Sequence, residues 1–324
     1  MKFGVDIKCD QDEFEKSVQQ AELAERLGYD SISIAEHHNA SGYVPLPLMA
    51  LAAIATRTGR LLLGSNIVIL PLYHPVQIAE QAAMVHFISR GRLLFGVGLG
   101  YLPDEFASMS IPFDERAGRM AESLSVLKRL WTEQDVSFDG TYYHFEHATV
   151  RPRLDGVGLP PVLVGGWVEA AIRRAARLAD GWIPGPTVTF DILRRCYEIF
   201  RDELRRQGKP LDVEYLAARE LFCASTRERA IEVGGRPMYQ FYKDTYLQWP
   251  HPYLREAERQ MSYEDLARDR FIIGDPGDCA QAVAKLREIG ITHLTFRMQP
   301  PGVGWDDAVA SMKLFMEQVV PRFR

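Results

Sequence analysis

One feature restricts this chain more than any other. Short apolar runs of strand character, each ending in glycine or a polar residue, alternate with amphipathic stretches along almost the whole length. Phe3, Val5 and Ile7 recur at period two and predict a first strand. Asp10 and Glu13 have capping-box spacing, Phe14, Val18, Ala21 and Ala24 follow at helical spacing, and Gly28 supplies a stop. The next run, YDSISIAEHH, carries the β-branched Ile32 and Ile34 and then turns abruptly polar. Strand, helix and strand fit within about 36 residues, the length of a βαβ unit.

The pattern repeats. Pro47 to Thr58 reads as a helix and LLLGSNIVIL as a buried strand. A helix with Pro75 at its first position and Gly91 just past its end comes next, then the strand LLFGVGLG. A helix from about Asp114 to Trp131 precedes the strand PPVLVGGW, and another from about Val168 to Leu178 precedes DGWIPG. The helix near Phe190 to Arg206, the strands EYLAARELFCAS and THLTFRM, and a helix from Asp307 to Val320 complete the chain. Eight strands separated by helices predict an α/β fold, a closed parallel (β/α)8 TIM barrel with insertions, rather than an open sheet. Two segments break the alternation: residues 136–152, read as an excursion or hairpin, and residues 234–270, a possible lid. No linker or composition shift divides residues 1–324, so a single domain is expected.

The bulk numbers fit that picture. With 47% hydrophobic residues the chain can fill a barrel core, and a net charge of -5 argues against a nucleic-acid partner. Cys9, Cys196, Cys223 and Cys279 lack CxxC spacing, which predicts reduced thiols. The N-terminus shows no signal-peptide pattern, and no apolar run approaches the roughly 18 residues of a membrane helix. A cytoplasmic protein without a membrane association is expected.

In such a barrel the site lies at the C-terminal ends of the strands. The residues there are Glu36, His37 and His38 after strand two, Ser65 and Asn66 after strand three, and Gly98 to Tyr101 after strand four. Gly165 and Gly166 follow strand five, and Arg297 and Gln299 follow strand eight. His37 suits a general acid or base, with Glu36 or a backbone carbonyl setting its tautomer. Structural hydrogen bonding at a strand end is the alternative. No metal site is expected, because His37 and His38 point to opposite faces of a continuing strand and no third ligand has suitable spacing. Gly165 and Gly166, between a strand and a helix, let backbone N–H groups approach an anion such as phosphate; a plain tight turn is the other reading. GVGLGY falls short of the dinucleotide fingerprint. Arg297 suits an anionic group or a buried salt bridge with a neighbouring strand.

Four segments, LGYDSISIAEHH, LGSNIVILPLYHPVQIAEQAAMVHFISRGRLLFGVGLGYLPDEF, PPVLVGGWVEAAIRRAARLADGW and IIGDPGDCAQAVAKLREIGITHL, resemble the luciferase-like (bacterial luciferase) flavin oxidoreductase family. The resemblance implies a (β/α)8 barrel and a proton-transfer role for His37, supported by Glu36 or His38. It places a non-prolyl cis peptide at Asn66-Ile67, a flavin-side turn at Leu99, Gly100 and Tyr101, and a phosphate-side segment at Gly165, Gly166 and Trp167. It makes residues 234–270 the mobile active-site loop. Leu99 stands where bacterial luciferase has an arginine and Gly98 where it has a reactive cysteine, so backbone N–H groups would carry the phosphate and light emission is not expected.

At the end of strand two, AEHH resembles the Glu-His or Glu-His-His of the family's flavin monooxygenases more than the Asp-His of its deazaflavin enzymes, which implies reduced FMN (FMNH2) over the 8-hydroxy-5-deazaflavin coenzyme. The leading expectation is therefore a monooxygenase that takes reduced FMN from an NAD(P)H:flavin reductase and uses O2 to oxygenate a small-molecule substrate. Tyr239, Phe241, Tyr242 and Arg297 are expected to border that substrate, beside Tyr101. A deazaflavin-dependent hydride-transfer enzyme and a non-catalytic flavin-binding protein are the alternatives, and the family implies a homodimer.

Overall fold

The architecture follows from where backbone hydrogen bonds and apolar side chains can be satisfied together. The computed structural model describes residues 1–7, 14–40, 43–249, 253–254 and 256–324. The capping-box pair Asp10 and Glu13 and the thiol of Cys9 lie outside the described residues.

Eight parallel strands form the ring: β1 (Lys2–Asp6), β2 (Ser31–Ile34), β3 (Leu62–Ser65), β4 (Leu93–Gly98), β5 (Val162–Gly165), β6 (Gly181–Ile183), β7 (Leu216–Cys223) and β8 (His293–Arg297). Ladders run unbroken from β7 through β8, β1, β2, β3, β4 and β5 to β6, and β6 packs beside β7 to close the ring. Register is tight: Gly4, Val5 and Asp6 pair Ser31, Ile32 and Ser33, which brings the ends of β1 and β2 to one level. The helices that return the chain are α1 (Phe14–Leu27), α2 (Pro47–Arg57), α3 (Pro75–Ile88), α4 (Arg116–Thr132), α5 (Glu169–Leu178), α6 (Phe190–Arg206), α7 (Pro276–Ile289) and α8 (Trp305–Gln318). Parallel strands covered on both faces must be apolar on both, and Phe3, Val5, Ile32, Phe95, Val97, Val164, Leu294 and Phe296 are all buried. Val18, Ala21 and Ala24 of α1 turn inward as their spacing predicts. Gly91, past the end of α3, takes φ +86°, a conformation in which a Cβ is strained.

Two short strands extend the ring. Val68–Ile69 continues beyond β3 to pair with the end of β4, and Ile272–Gly274 pairs with Leu221 to Cys223 of β7. The first excursion is a hairpin, Val136–Asp139 antiparallel to His144–Ala148. The second begins earlier than residue 234. From Arg227 to Tyr246 the chain is helical, with wide π turns at Ile231–Gly235 and Tyr242–Tyr246, and short helices Glu256–Arg259 and Tyr263–Ala267 follow. This excursion carries its own apolar cluster, including Met238, Tyr242, Leu247, Leu266 and Phe271. Cys196, Cys223 and Cys279 are buried free thiols. Among the described residues, no helix is long and apolar enough to cross a membrane.

Candidate active site

The eight strand ends converge on one cavity of about 380 Å³. Its wall takes Asp6 from β1, Glu36 and His37 from the end of β2, Asn66 and Ile67 after β3, and Leu99, Gly100 and Tyr101 after β4. Gly165, Gly166 and Trp167 come from β5, Ile183 to Pro186 from β6, Ala218 from β7 and Arg297 from β8. The second-strand imidazole and the fifth-strand diglycine turn thus face a common space, inside the size range of small-molecule sites. The Asn66-Ile67 peptide is cis, as the resemblance implied. Gly165 has a packing reason to be glycine, since a Cβ there would lie 3.0 Å from the Ile67 side chain.

His37 is the pivot. Its Nδ1 lies 3.1 Å from Glu105 Oε1, and its Nε2 lies 3.5 Å from the Tyr101 hydroxyl. Glu105 comes from the short helix Pro103–Ser108 after β4, which folds back over the end of β2; the same Oε1 also accepts from the backbone N–H of His38 at 2.9 Å. Glu105 is buried on the cavity wall, and its Oε2 has no hydrogen-bond partner among the described residues. A buried carboxylate oxygen left open is costly unless a ligand or water completes it.

Glu36 does not fix the His37 tautomer. It accepts from His38 Nε2 at 2.7 Å, from the Tyr73 hydroxyl at 2.7 Å and from the Ile69 backbone N–H at 2.7 Å. Those bonds tie β2 to the segment after β3. His38 is turned away from the cavity, and its pKa is raised, chiefly by the hydrogen bond to Glu36, against the opposing effect of burial. One histidine faces the cavity and its neighbour braces the rim.

A second charged group lies on the other side of β1. Arg297 donates to Asp6 Oδ2 at 3.2 Å and to the Tyr246 hydroxyl at 2.7 Å, and Glu220 Oε1 of β7 lies 3.5 Å away. Burial raises the carboxyl pKa values of Asp6 and Glu220, with Arg297 pulling both back down. Arg297 therefore makes a salt bridge to each flanking strand while keeping a place on the cavity wall.

Gly166 does not offer its N–H to an anion, because that group donates to Ile183 O at 3.4 Å and links β5 to β6. The helix that follows, α5, starts without a side-chain cap, so the open donors belong to its first turn. Of the insertion aromatics, Tyr239 donates its hydroxyl to Met261 O and Tyr242 is fully buried in the insertion's own cluster. Phe241 lines a smaller neighbouring pocket against Arg297. Tyr246 takes the cavity position in their place, and Trp249 lies over the His37 ring with centroids 4.9 Å apart. Sequence reasoning missed Glu105, Asp6, Tyr43, Tyr246 and Trp249. Only the acidic first turn of PDEF, directly after a barrel strand, carried a signal for Glu105.

The profile of the luciferase-like monooxygenase family matches residues 1–293. The chain belongs to that family. Its similarity to relatives runs along almost the whole chain. An F420-dependent glucose-6-phosphate dehydrogenase from Nakamurella multipartita is 28% identical, covering 100% of this chain and 97% of that protein. A 4-hydroxyprotoasukamycin monooxygenase from Streptomyces nodosus subsp. asukaensis is 29% identical, covering 95% and 86%. Among solved structures, monooxygenase RslO1 from Streptomyces bottropensis superposes with a TM-score of 0.89 at 26% identity over 100% of both chains. By description one of the three is F420-dependent and two are monooxygenases, and all three are oxidoreductases.

Proposed function

We propose that this chain is a deazaflavin-dependent oxidoreductase that transfers a hydride to or from an alcohol or carbonyl substrate, with His37 moving the substrate's proton. The observation that carries the reading is the His37–Glu105 pair, one ring nitrogen on a buried carboxylate and the other at the cavity beside Tyr101. An imidazole oriented in this way is a general acid or base whose outer nitrogen faces the cavity beside the Tyr101 hydroxyl. As hydride leaves the carbon of an alcohol, the hydroxyl proton passes to Nε2; carbonyl reduction runs the same transfer backwards.

The cavity fits the coenzyme class. Asn66, Ile67, Ile69 and Ile183 give a largely apolar surface for a flat ring, and the uncapped start of α5 offers donors for a phosphate. A bound deazaflavin would supply the hydride-exchanging carbon. Its support over FMN comes from the relatives, since F420-dependent dehydrogenases from several organisms align with this chain from end to end.

Oxygenation with reduced FMN and O2, the reading that AEHH favours, is kept for one observation: a monooxygenase superposes on the whole chain at a TM-score of 0.89. In that case an NAD(P)H:flavin reductase is the partner, and His37 serves as proton donor. The homodimer and a lid function for the insertion are part of either proposal.

The two are separated by titrating the purified chain with F420 and with FMN, followed by absorbance, and by measuring O2 uptake with FMNH2. Binding of F420 with no FMNH2-dependent O2 consumption above the uncatalysed rate is expected. Tight FMNH2 binding coupled to substrate-dependent O2 uptake overturns the deazaflavin reading, and binding of neither coenzyme overturns both.

A further inference from the structure

The substrate side of the cavity has a composition of its own. Aromatic rings surround His37: Tyr43 at 4.6 Å between centroids, Trp249 at 4.9 Å and Tyr101 at 5.8 Å. Tyr101 in turn packs on Trp167 at 5.4 Å, and Trp249 on Tyr246 at 5.9 Å. Such rings, approached by face or edge, select flat π-systems.

The charges point the same way. Among the described residues that line the cavity, the cations are Arg116 and Arg297, with no lysine, against the acids Asp6, Glu36 and Glu105. Arg297 is already engaged by Asp6, Glu220 and Tyr246. Arg116, which is stacked on Phe113 and donates to its carbonyl, and the start of α5 are left for the coenzyme's own phosphate. Among the described residues, a second, substrate-borne phosphate would then face three carboxylates with no free guanidinium, an arrangement that disfavours it.

We propose that this half of the cavity binds an uncharged, planar aromatic compound carrying a hydroxyl or carbonyl group, and not a sugar phosphate. The aromatic plane lies against the cavity-lining Tyr43, Tyr101 and Tyr246, and the oxygen substituent meets His37 Nε2 and the Tyr101 hydroxyl beside it. This rests on the coenzyme reading above, because that coenzyme occupies the phosphate side. It also separates the substrate of this chain from the one printed in the name of its F420-dependent relatives.

The test is calorimetric titration of the full chain, saturated with whichever coenzyme it binds, using 2-naphthol and glucose 6-phosphate as probes. 2-Naphthol is expected to bind at a single saturable site and glucose 6-phosphate to give no saturable heat. Tyr43→Ala and Tyr101→Phe should each weaken 2-naphthol about 10-fold, through a lost ring contact and a lost hydroxyl respectively. Tyr43→Phe, which keeps a ring in place, should retain most of the affinity. Glucose 6-phosphate binding more tightly than 2-naphthol overturns the proposal, as does 2-naphthol binding indifferent to both weakening substitutions, or no 2-naphthol binding at all. Coenzyme binding is read independently from its own absorbance. A chain that binds coenzyme without 2-naphthol loses the subsite alone. A chain that binds no coenzyme loses the coenzyme reading, and the same titration of the free chain then decides the subsite.

Discussion

Two carboxylate clusters face the same cavity and are built on opposite plans. At the β2 side, Glu105 holds an imidazole directly, and among the described residues its second oxygen, on the cavity wall, has no partner. At the β8 side, Arg297 sits between Asp6 and Glu220, with Tyr246 on its remaining edge; the Glu220 oxygens also lack a hydrogen bond among the described residues, but Glu220 lies off the cavity wall and within ion-pair reach of Arg297. Buried charge is tolerated when it is paired, and a buried acceptor left open is retained where something else is to fill it. The difference teaches that the first cluster is arranged to exchange a proton, whereas the second fixes the geometry of the wall.

If that contrast holds, removing the centre of each cluster has different consequences. Arg297→Met leaves Asp6 and Glu220 buried without their cation, and breaking a buried pair in this way costs about 3–5 kcal/mol. Thermal or urea unfolding should show the loss. A drop below about 1 kcal/mol would mean that solvent already compensates the two acids and that the wall is not held by charge. His37→Asn should leave unfolding nearly unchanged and lower turnover by about 100-fold or more, the usual scale for a lost general acid or base. Equal turnover in the variant would remove the proton-transfer role.

Glu105 sharpens the comparison further, because it acts through His37. Glu105→Gln keeps a carbonyl acceptor for Nδ1 and removes the charge, so kcat should fall about 10-fold with coenzyme Kd unchanged. The double variant His37→Asn/Glu105→Gln should be no slower than His37→Asn alone, since residues acting as a unit lose their contribution once. Additive losses would show that Glu105 works on its own.

How far all this was readable in the sequence depends on periodicity. The ring was legible because its strands are apolar on both faces, and the strand-end rule then pointed to Glu36, His37, Gly165 and Arg297. Glu105 was not legible, since it is 68 positions from His37 and reaches it only when Pro103–Ser108 folds back across the rim. Arg219 and Glu220, consecutive charges inside AARELF, were a signal left unread: both are completely buried within β7. The insertion failed for a geometric reason. Two π turns between Ile231 and Tyr246 shift the helical phase, so a regular 3.6-residue count misassigns which of Tyr239, Phe241, Tyr242 and Tyr246 faces the cavity.

The smallest effect concerns the imidazole that does not face the cavity. His38 gains a hydrogen bond from its Nε2 to Glu36, which raises its pKa above the ordinary 6.5. A folded-state value above the unfolded one means that the native protein holds this proton more tightly. The resulting stabilisation is fully present below pH 6.5 and is lost as pH rises through the raised native value. The stability difference between the wild type and His38→Gln should therefore be larger at pH 6 than at pH 8, as read from urea midpoints in matched buffers. The pH dependence belongs to the brace and not to the proton-transfer pair, so it should survive intact in His37→Asn. A difference that is flat with pH, or one that disappears when His37 is replaced, would mean that the two histidines titrate as one group and that the division of labour at the end of β2 is wrong.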